Sequence, residues 1–185
     1  MAHLIVPDPT LQSTWLEGSA EFKGAHLDGA GAEGWSLDDL RDPSVFGRFV
    51  DVLIKDALPE TVRKPGYVPC TYLWIADGGT FLGSLAIRHV LNGYLLNEGG
   101  HIGYSVRPSA RRRGHAAKAL ADALPVARAL GIQRALLTCD IDNAGSRATI
   151  EKNGGQYEDT RNGKRRYWID TDGPAEAAPS AGLSG

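Results

Sequence analysis

Cysteine and methionine are scarce in this sequence, which has two cysteines and one methionine among 185 residues. Cys70 and Cys139 each lie in an apolar, strand-like run, and neither has the cysteine or histidine spacing of a metal site. We therefore expect both thiols to pack in the core, and we expect neither a disulfide nor a bound metal.

Long apolar runs and the commonest site signatures are also missing. No run approaches the roughly 18 apolar residues of a membrane span, and the N-terminus carries no basic segment followed by an apolar stretch. The chain has no GxxxxGK[ST], GxGxxG or HExxH pattern, which argues against the P-loop, Rossmann and zinc-protease classes. We expect a soluble, cytoplasmic protein without a membrane partner.

Charge is distributed unevenly over a chain whose length predicts a single domain. The net charge is −2, yet residues 1–60 hold eleven acidic and four basic side chains, whereas residues 61–185 hold eleven acidic and sixteen basic ones. This separation suits a protein that binds an anion in one place and a cation in another. Residues 173–185 are rich in Gly, Pro, Ala and Ser, so we predict a disordered tail after a domain over residues 1–172.

Apolar residues recur with the periods of strands and helices along most of the chain. The predicted elements, in order, are a strand at 3–6 with a helix after it, a helix at 43–58, a hairpin of 68–76 and 80–89, a strand at 101–107, a helix at 116–130, a strand at 133–139, a short helix at 143–152, and a hairpin of 156–160 and 164–171. Residues 91–100 are predicted to form a loop. The strand, helix and strand between 101 and 139 predict a right-handed βαβ unit with parallel strands.

An arginine-rich stretch joins the predicted strand at 101–107 to the helix that follows it. Arg111, Arg112 and Arg113 precede Gly114 at the predicted start of this helix. Free backbone N–H groups at a helix start lie at the positive end of the helix dipole, and a glycine allows a ligand to approach closely. The stretch therefore indicates a site for a phosphate or pyrophosphate. A solvated basic surface and a nucleic-acid contact are the alternatives.

This element order, with Arg111-x-x-Gly114-x-Ala116 at a strand-to-helix junction, resembles the GNAT superfamily of acetyl-CoA-dependent acyltransferases over residues 43–170. Three further features stand in register with it, namely the Ser105-Val106-Arg107-Pro108 run, Gly131-Ile132 after the helix, and Asn143 after the next strand. The stretch from 137 to 155 is similar to a bacterial branch of predicted acetyltransferases. The resemblance implies an α/β (α+β) fold with a mixed, mostly antiparallel sheet of six to seven strands, a central βαβ unit whose parallel strands splay apart, and helices on both faces.

The resemblance implies acetyl-CoA as the co-substrate and puts it at the arginine-rich stretch. Its pyrophosphate would lie on the backbone amides of Arg112, Arg113, Gly114, His115 and Ala116, with Arg111 adding charge. Its pantetheine arm would pair with the main chain of Tyr104, Ser105 and Val106 and pass Asn143 and Ser146. Helix capping is an equally good explanation of Asn143.

The resemblance also implies N-acetylation, in which the ammonium form of a primary amine, with a pKa near 10, loses a proton before the nitrogen attacks the thioester. Candidate bases are Glu98, His101 and His89, which lie on or near the strands that would border the acceptor site. His101 has the ordinary pKa best matched to neutral pH, but Glu98 is placed first and both remain candidates.

The family's usual thiolate acid is a tyrosine in a Y-E-K-x-G-F run, but this chain has Ile150 at that position. Tyr104, Tyr157 and Tyr167 are candidate substitutes, and Tyr104 also lies in the strand that would hold the donor. The alternative is that the thiolate leaves unassisted, because an ordinary thiol has a pKa near 8.5.

The resemblance implies that the acceptor meets the first two helices and the terminal hairpin, elements that here include the acidic first third of the chain. Carboxylates beside indoles suit a small cationic amine through ion pairs and cation–π contacts, and the residues concerned are Asp28, Glu33, Asp38, Asp39, Asp42, Trp15, Trp35 and Trp168. A protein or peptide amine is an alternative acceptor, and a non-catalytic acyl-CoA-binding or sensing module is an alternative function. We expect no nucleic-acid partner because the net charge is negative, and open strand edges would allow a homodimer.

Overall fold

Seven strands and four α-helices follow the predicted order in the computed structural model, which describes residues 1–172. They are β1 (His3–Ile5), α1 (Gln12–Ala20), α2 (Pro43–Lys55), β2 (Cys70–Asp77), β3 (Thr80–Arg88), β4 (Ile102–Val106), α3 (His115–Ala129), β5 (Arg134–Asp140), α4 (Ala144–Lys152), β6 (Gln156–Arg161) and β7 (Lys164–Asp170). The tail predicted to be disordered, 173–185, lies outside the described residues.

Two segments differ from their predictions. Helix α2 ends at Lys55, three residues earlier than predicted, because Pro59 disfavours helical backbone at the residue before it. Leu95–Gly99, predicted to be loop, forms a π-helical turn whose first amide donates to the Asn92 side chain at 2.9 Å. A single turn of five residues is too short to produce a helical period in the sequence.

The strands form two antiparallel sheets, and the edge strand β4 of one lies next to the edge strand β5 of the other. One sheet has the order β1-β2-β3-β4 and the other the order β5-β7-β6. The β2–β3 hairpin turns at Asp77 and Thr80, as the Asp-Gly-Gly signal predicts. Strands β4 and β5 are not paired as neighbours, and all of β4 and the second half of β5 line one cavity. The predicted splay of the βαβ strands is therefore confirmed.

Helices cover both faces of the four-stranded sheet, because β2 and β3 alternate between two cores. Leu73, Ile75, Leu85 and Ile87 pack in the cluster that contains α3 and β5. The opposite face is an aromatic cluster with α1 and α2, in which the Trp15 ring lies 5.2 Å from the Phe49 ring. None of the helices within residues 1–172 is long and apolar enough to cross a membrane.

Both cysteines are buried and unpaired, as predicted. Cys70 is 4% exposed and Cys139 is 5% exposed, and Cys139 belongs to the cluster around α3. Burial raises the pKa of the Cys70 thiol to about 12, so this thiol stays protonated.

Candidate active site

A cavity of about 970 Å³ opens where β4 and β5 part. The arginine loop, defined as Arg111–Ala116, follows the end of β4 and borders the cavity on one side. The Glu98 turn, defined as Leu95–Gly100, precedes β4 and borders it on the other side. The volume lies at the upper end of the range for small-molecule sites, so the cavity can hold a large ligand.

His101 joins the two sheets at the point where the strands begin to separate. Its backbone N–H donates to the Leu136 carbonyl at 2.7 Å, and the Leu136 N–H donates to the His101 Nδ1 at 2.9 Å. In a continuous sheet the Leu136 N–H would donate to a backbone carbonyl of the neighbouring strand. Here it donates to the imidazole instead, so backbone pairing between the two sheets ends at His101. Burial, helped by the Arg88 charge, lowers the pKa of His101 to about 4, so the ring is neutral and its Nδ1 can accept.

The edge of β4 that faces the cavity carries free backbone groups. On the β3 side, the His101 carbonyl accepts from the Arg88 N–H, and the Arg107 N–H donates to the Leu82 carbonyl. Alternate residues of an antiparallel strand point their amides to opposite edges, so the amides of Ile102, Tyr104 and Val106 point away from β3. A strand-like ligand can therefore pair with β4 along the cavity.

The arginine loop presents unpaired backbone donors to the cavity. Arg112 and Gly114 have positive φ angles of 59° and 81°, which fold the chain into a tight loop before α3. Within the described residues, the N–H groups of 112–114 have no protein acceptor, and the first-turn amides of α3 are free by helix geometry. A Cβ added at Gly114 would contact nothing within 4 Å, so this position opens toward the space a ligand would use.

The side chains of the arginine loop differ in their placement. Arg111 donates from Nε to the Val106 carbonyl at 3.0 Å and lies over the Phe22 ring at 5.5 Å. Arg112 and His115 also line the cavity, whereas Arg113 does not. No carboxylate forms an ion pair with the three arginines within residues 1–172. An anion can therefore bind here without displacing an internal partner.

The start of α4 lies across the cavity from β4. The Asn143 side chain caps α4 by accepting from the Ser146 N–H at 3.0 Å, and both residues line the cavity. The Tyr104 hydroxyl lies 3.0 Å from the Ser146 Oγ. Burial raises the pKa of Tyr104 to about 12, so its phenol remains a proton donor at neutral pH.

The other positions considered for a thiolate acid lie away from the cavity. Ile150 is fully buried in the core around α3. Tyr157 bonds to Thr160 on the terminal hairpin, and Tyr167 is buried with its hydroxyl between Arg165 and Glu151. Tyr104 is thus the candidate tyrosine that lines the cavity.

The Glu98 turn is held by side chains from three other elements. Glu98 lines the cavity, and its carboxylate accepts from Asn162 Nδ2 at 3.0 Å. Further donors reach the turn as follows: Arg166 to the Leu96 carbonyl at 2.9 Å, Arg161 to Asn97 at 3.2 Å, Thr138 to the Glu98 carbonyl, and Arg88 to the Gly99 carbonyl at 3.0 Å. The position of Glu98 is therefore fixed by the terminal hairpin, β5 and β3.

Comparison with known proteins decides the family. The sequence model of the acetyltransferase (GNAT) family matches residues 38–155, more than half of the chain. This chain belongs to the GNAT family. It is an acetyltransferase by that membership, as the sequence predicted. No curated protein sequence gives a significant match to the chain.

Solved structures share the GNAT fold with this chain at low sequence identity. RimJ of Mycobacterium smegmatis, solved with CoA-disulfide, has 21% identity and a TM-score of 0.67, covering 92% of this chain and 82% of RimJ. The microcin C7 self-immunity acetyltransferase MccE, solved with acetyl-CoA and AMP, has 16% identity and a TM-score of 0.62, covering 91% and 92%. The PaiA N-acetyltransferase of Thermoplasma acidophilum, solved with coenzyme A, has 14% identity and a TM-score of 0.57, covering 92% and 99%.

The cavity between β4 and β5 brings together most of the predicted site residues. Those that line it are Glu98, Tyr104, Ser105, Val106, Arg111, Arg112, Gly114, His115, Ala116, Asn143 and Ser146. His101 does not line it, since its ring lies between the sheets, and His89 is engaged by Thr71 at 2.8 Å. Arg88, Arg166 and Thr138 were missed, because no short-range pattern links them to a turn 11 to 70 residues away.

The predicted acidic and aromatic acceptor region is only partly beside this cavity. Asp28 and Glu33 line it. Asp42 instead caps α2, and Asp39 pairs with Ser36 in a helical turn. The prediction for Trp15 is wrong, because this side chain is 1% exposed in the aromatic core. Trp35 packs on Phe49, and Trp168 donates to Glu158.

Proposed function

We propose that this GNAT protein transfers the acetyl group of acetyl-CoA to the primary amine of a small molecule. The observation that carries the proposal is one cavity with free backbone donors and arginines at one end and a firmly held carboxylate at the other. The first set suits a pyrophosphate, and the second suits an amine that must lose a proton.

Acetyl-CoA fits the arginine loop and the open edge of β4 together. The free amides of 112–116 and the guanidinium groups of Arg111 and Arg112 would hold the pyrophosphate. The pantetheine arm would pair with the free amides of Tyr104 and its neighbours and pass Ser146. The MccE and PaiA structures are complexes with acetyl-CoA and coenzyme A, which supports this donor.

Glu98 is the base in this proposal. At neutral pH the acceptor arrives as an ammonium, and the Glu98 carboxylate accepts one of its protons, which frees the nitrogen lone pair to attack the carbonyl carbon of the thioester. The second proton, which the nitrogen sheds once the C–N bond has formed, passes to water. A free N–H of β4 stabilises the oxyanion that forms, and the C–S bond then breaks to release CoA as a thiolate. Glu98 lines the cavity, whereas the neutral His101 ring already accepts from Leu136.

Tyr104 is the proton donor to the thiolate in this proposal. Its hydroxyl lines the cavity, and its pKa of about 12 keeps it protonated at neutral pH. Ser146 Oγ, 3.0 Å from the phenolic oxygen, orients the hydroxyl. The donation is helpful rather than essential, since an ordinary thiol with a pKa near 8.5 is already a fair leaving group.

Thiol release from acetyl-CoA, measured with a panel of polyamines, aminoglycosides, amino acids and peptides, tests the activity. Glu98→Gln should lower kcat about 100-fold while the Kd of acetyl-CoA stays unchanged, because the amide cannot accept the proton. Glu60→Gln is the matched control at an exposed position outside the cavity, and it should leave kcat unchanged.

Two outcomes would contradict the proposal in different ways. Tight binding of acetyl-CoA without thiol release on any amine would indicate the non-catalytic acyl-CoA-binding module. Release with peptides alone would indicate a peptide or protein N-acetyltransferase instead.

A further inference from the structure

Arg88 is a half-buried arginine with no carboxylate partner in the described chain. It ends β3 and lines the cavity. One of its terminal nitrogens, Nη1, donates to the Gly99 carbonyl at 3.0 Å and to the Gly100 carbonyl at 3.3 Å. Within residues 1–172, Nε and Nη2 donate to no protein acceptor, so most of its hydrogen-bonding capacity is unused.

Three other arginines of this protein with largely buried side chains are paired. The side chains of Arg63, Arg107 and Arg166 are 12%, 13% and 2% exposed, and each forms an ion pair. Their partners are Asp56 at 2.9 Å, Glu21 at 2.5 Å, and Glu158 and Asp159 at 2.5 and 2.6 Å. A guanidinium removed from water normally requires such an anion. Arg147 and Arg165 are half-buried and also have no ion pair within residues 1–172, but neither lines the cavity. Arg88 combines partial burial, the lack of an internal carboxylate and a place in the cavity wall, which points to an anion that a ligand brings.

The guanidinium of Arg88 lies at the Glu98 end of the cavity. A Cβ added at Gly103 would lie 3.3 Å from both terminal nitrogens, so the group rests on the backbone near the start of β4. Four residue steps separate the ends of β4, about 14 Å, and the arginine loop follows the far end. Arg88 is thus remote from the proposed pyrophosphate site and adjacent to the turn that carries Glu98.

We propose that Arg88 binds a carboxylate of the acceptor, so that the acceptor carries an amine and a carboxylate in the same small molecule. The inference rests on the proposed function, since it identifies the class of amine that reaches Glu98. The planar guanidinium can bind a carboxylate by donating two parallel hydrogen bonds, one from Nε and one from Nη2. The amine of the same molecule then lies beside Glu98, whose neighbour Gly99 already contacts Arg88.

Matched acceptors test the inference without any variant. Thiol release is measured for α-, β- and γ-amino acids, for the amide of each, and for the amine that lacks the carboxyl group. The free carboxylate should give a kcat/KM at least tenfold above that of its amide, because a fork of charge-assisted hydrogen bonds is lost in the amide. The preferred member among the α-, β- and γ-amino acids then reports the distance between Arg88 and the reacting nitrogen.

Two variants separate carboxylate binding from support of the Glu98 turn. Arg88→Met should abolish the preference for carboxylate over amide, and Arg88→Lys should retain part of it. Arg166→Met removes another donor to the same turn, and Arg166 does not line the cavity. This variant should therefore lower kcat/KM for the carboxylate and for the amide by the same factor.

Each result has a distinct meaning. Equal kcat/KM for acids and amides in the native protein, or an unchanged preference in Arg88→Met, would overturn the role of Arg88 and leave the proposed acetyl transfer standing. Failure of every amine in the panel would overturn the proposed function itself.

Discussion

The arginine loop and the Glu98 turn border the same cavity, but they are built in opposite ways. The amides of 112–114 and the loop's arginines leave most of their donors free within residues 1–172. In the Glu98 turn, each residue from Leu96 to Gly100 accepts a hydrogen bond from a side chain elsewhere in the fold. This difference is what the proposed function requires, because a loop that binds a ligand anion needs available donors, whereas a turn that positions one carboxylate needs rigidity.

The largest expected effect is on the arginine loop. Gly114→Trp should raise the Kd of acetyl-CoA at least about 100-fold, because an indole there fills ligand space and removes a left-handed glycine. Gly131→Trp is a matched control, since Gly131 has a φ of 87°, is equally open, and lies at the other end of α3. Isothermal titration with acetyl-CoA measures both. Equal weakening by the two variants would show that backbone strain, and not the loop, controls binding.

The next effect concerns the Glu98 turn. Arg166→Met should lower the free energy of unfolding by about 2 to 3 kcal/mol, since the variant removes a buried guanidinium that donates to Glu158, Asp159 and the Leu96 carbonyl. It should also lower kcat about tenfold while the Kd of acetyl-CoA is unchanged. Arg165→Met, on the adjacent residue that contacts Tyr157 and Tyr167, should leave kcat unchanged. Chemical denaturation and thiol release separate the two effects, and a loss of acetyl-CoA affinity in Arg166→Met would contradict the division into two ends.

The smallest effect is a pH dependence near the Glu98 turn. The folded pKa of His101 is about 4, below the value of 6.5 expected for the unfolded chain, so the unfolded state binds more protons between these values. The contribution of the neutral His101 to the free energy of unfolding is fully present above about pH 6.5 and is lost as the pH drops toward 4. At about pH 5 the loss is about 2 kcal/mol. His101→Gln should flatten this part of the profile. Urea denaturation at several pH values measures it, and an unchanged slope in the variant would assign the dependence to other groups.

The same contrast explains what the sequence could and could not predict. The arginine loop was predictable because its signals are local, namely a strand that ends at Pro108, a run of arginines and a glycine before a helical period. The Glu98 turn was predicted as plain loop, since its anchors Thr138 and Arg166 lie 40 and 70 residues from the carbonyls they bind. Glu98 itself was identified as a candidate, but nothing in its neighbourhood indicates which side chains orient it.

His101 and Trp15 show how residue type alone misleads. A histidine before a strand is a reasonable base, yet this ring accepts the Leu136 amide and stays neutral between the two sheets. A tryptophan near carboxylates is a reasonable cation contact, yet Trp15 lies against Phe46, Phe49 and Trp74 in the core. Both outcomes depend on tertiary packing, which a periodic pattern does not specify.

The open edge of β4 has a consequence for handling the protein. Free, strand-spaced amides are the surface on which a second polypeptide can add by β-pairing. A ligand that pairs with the amides of Ile102, Tyr104 and Val106 would block such association. Preparations kept saturated with CoA should accordingly resist concentration-dependent aggregation better than preparations kept with adenosine diphosphate, which can occupy a phosphate site but has no arm to lie along the strand.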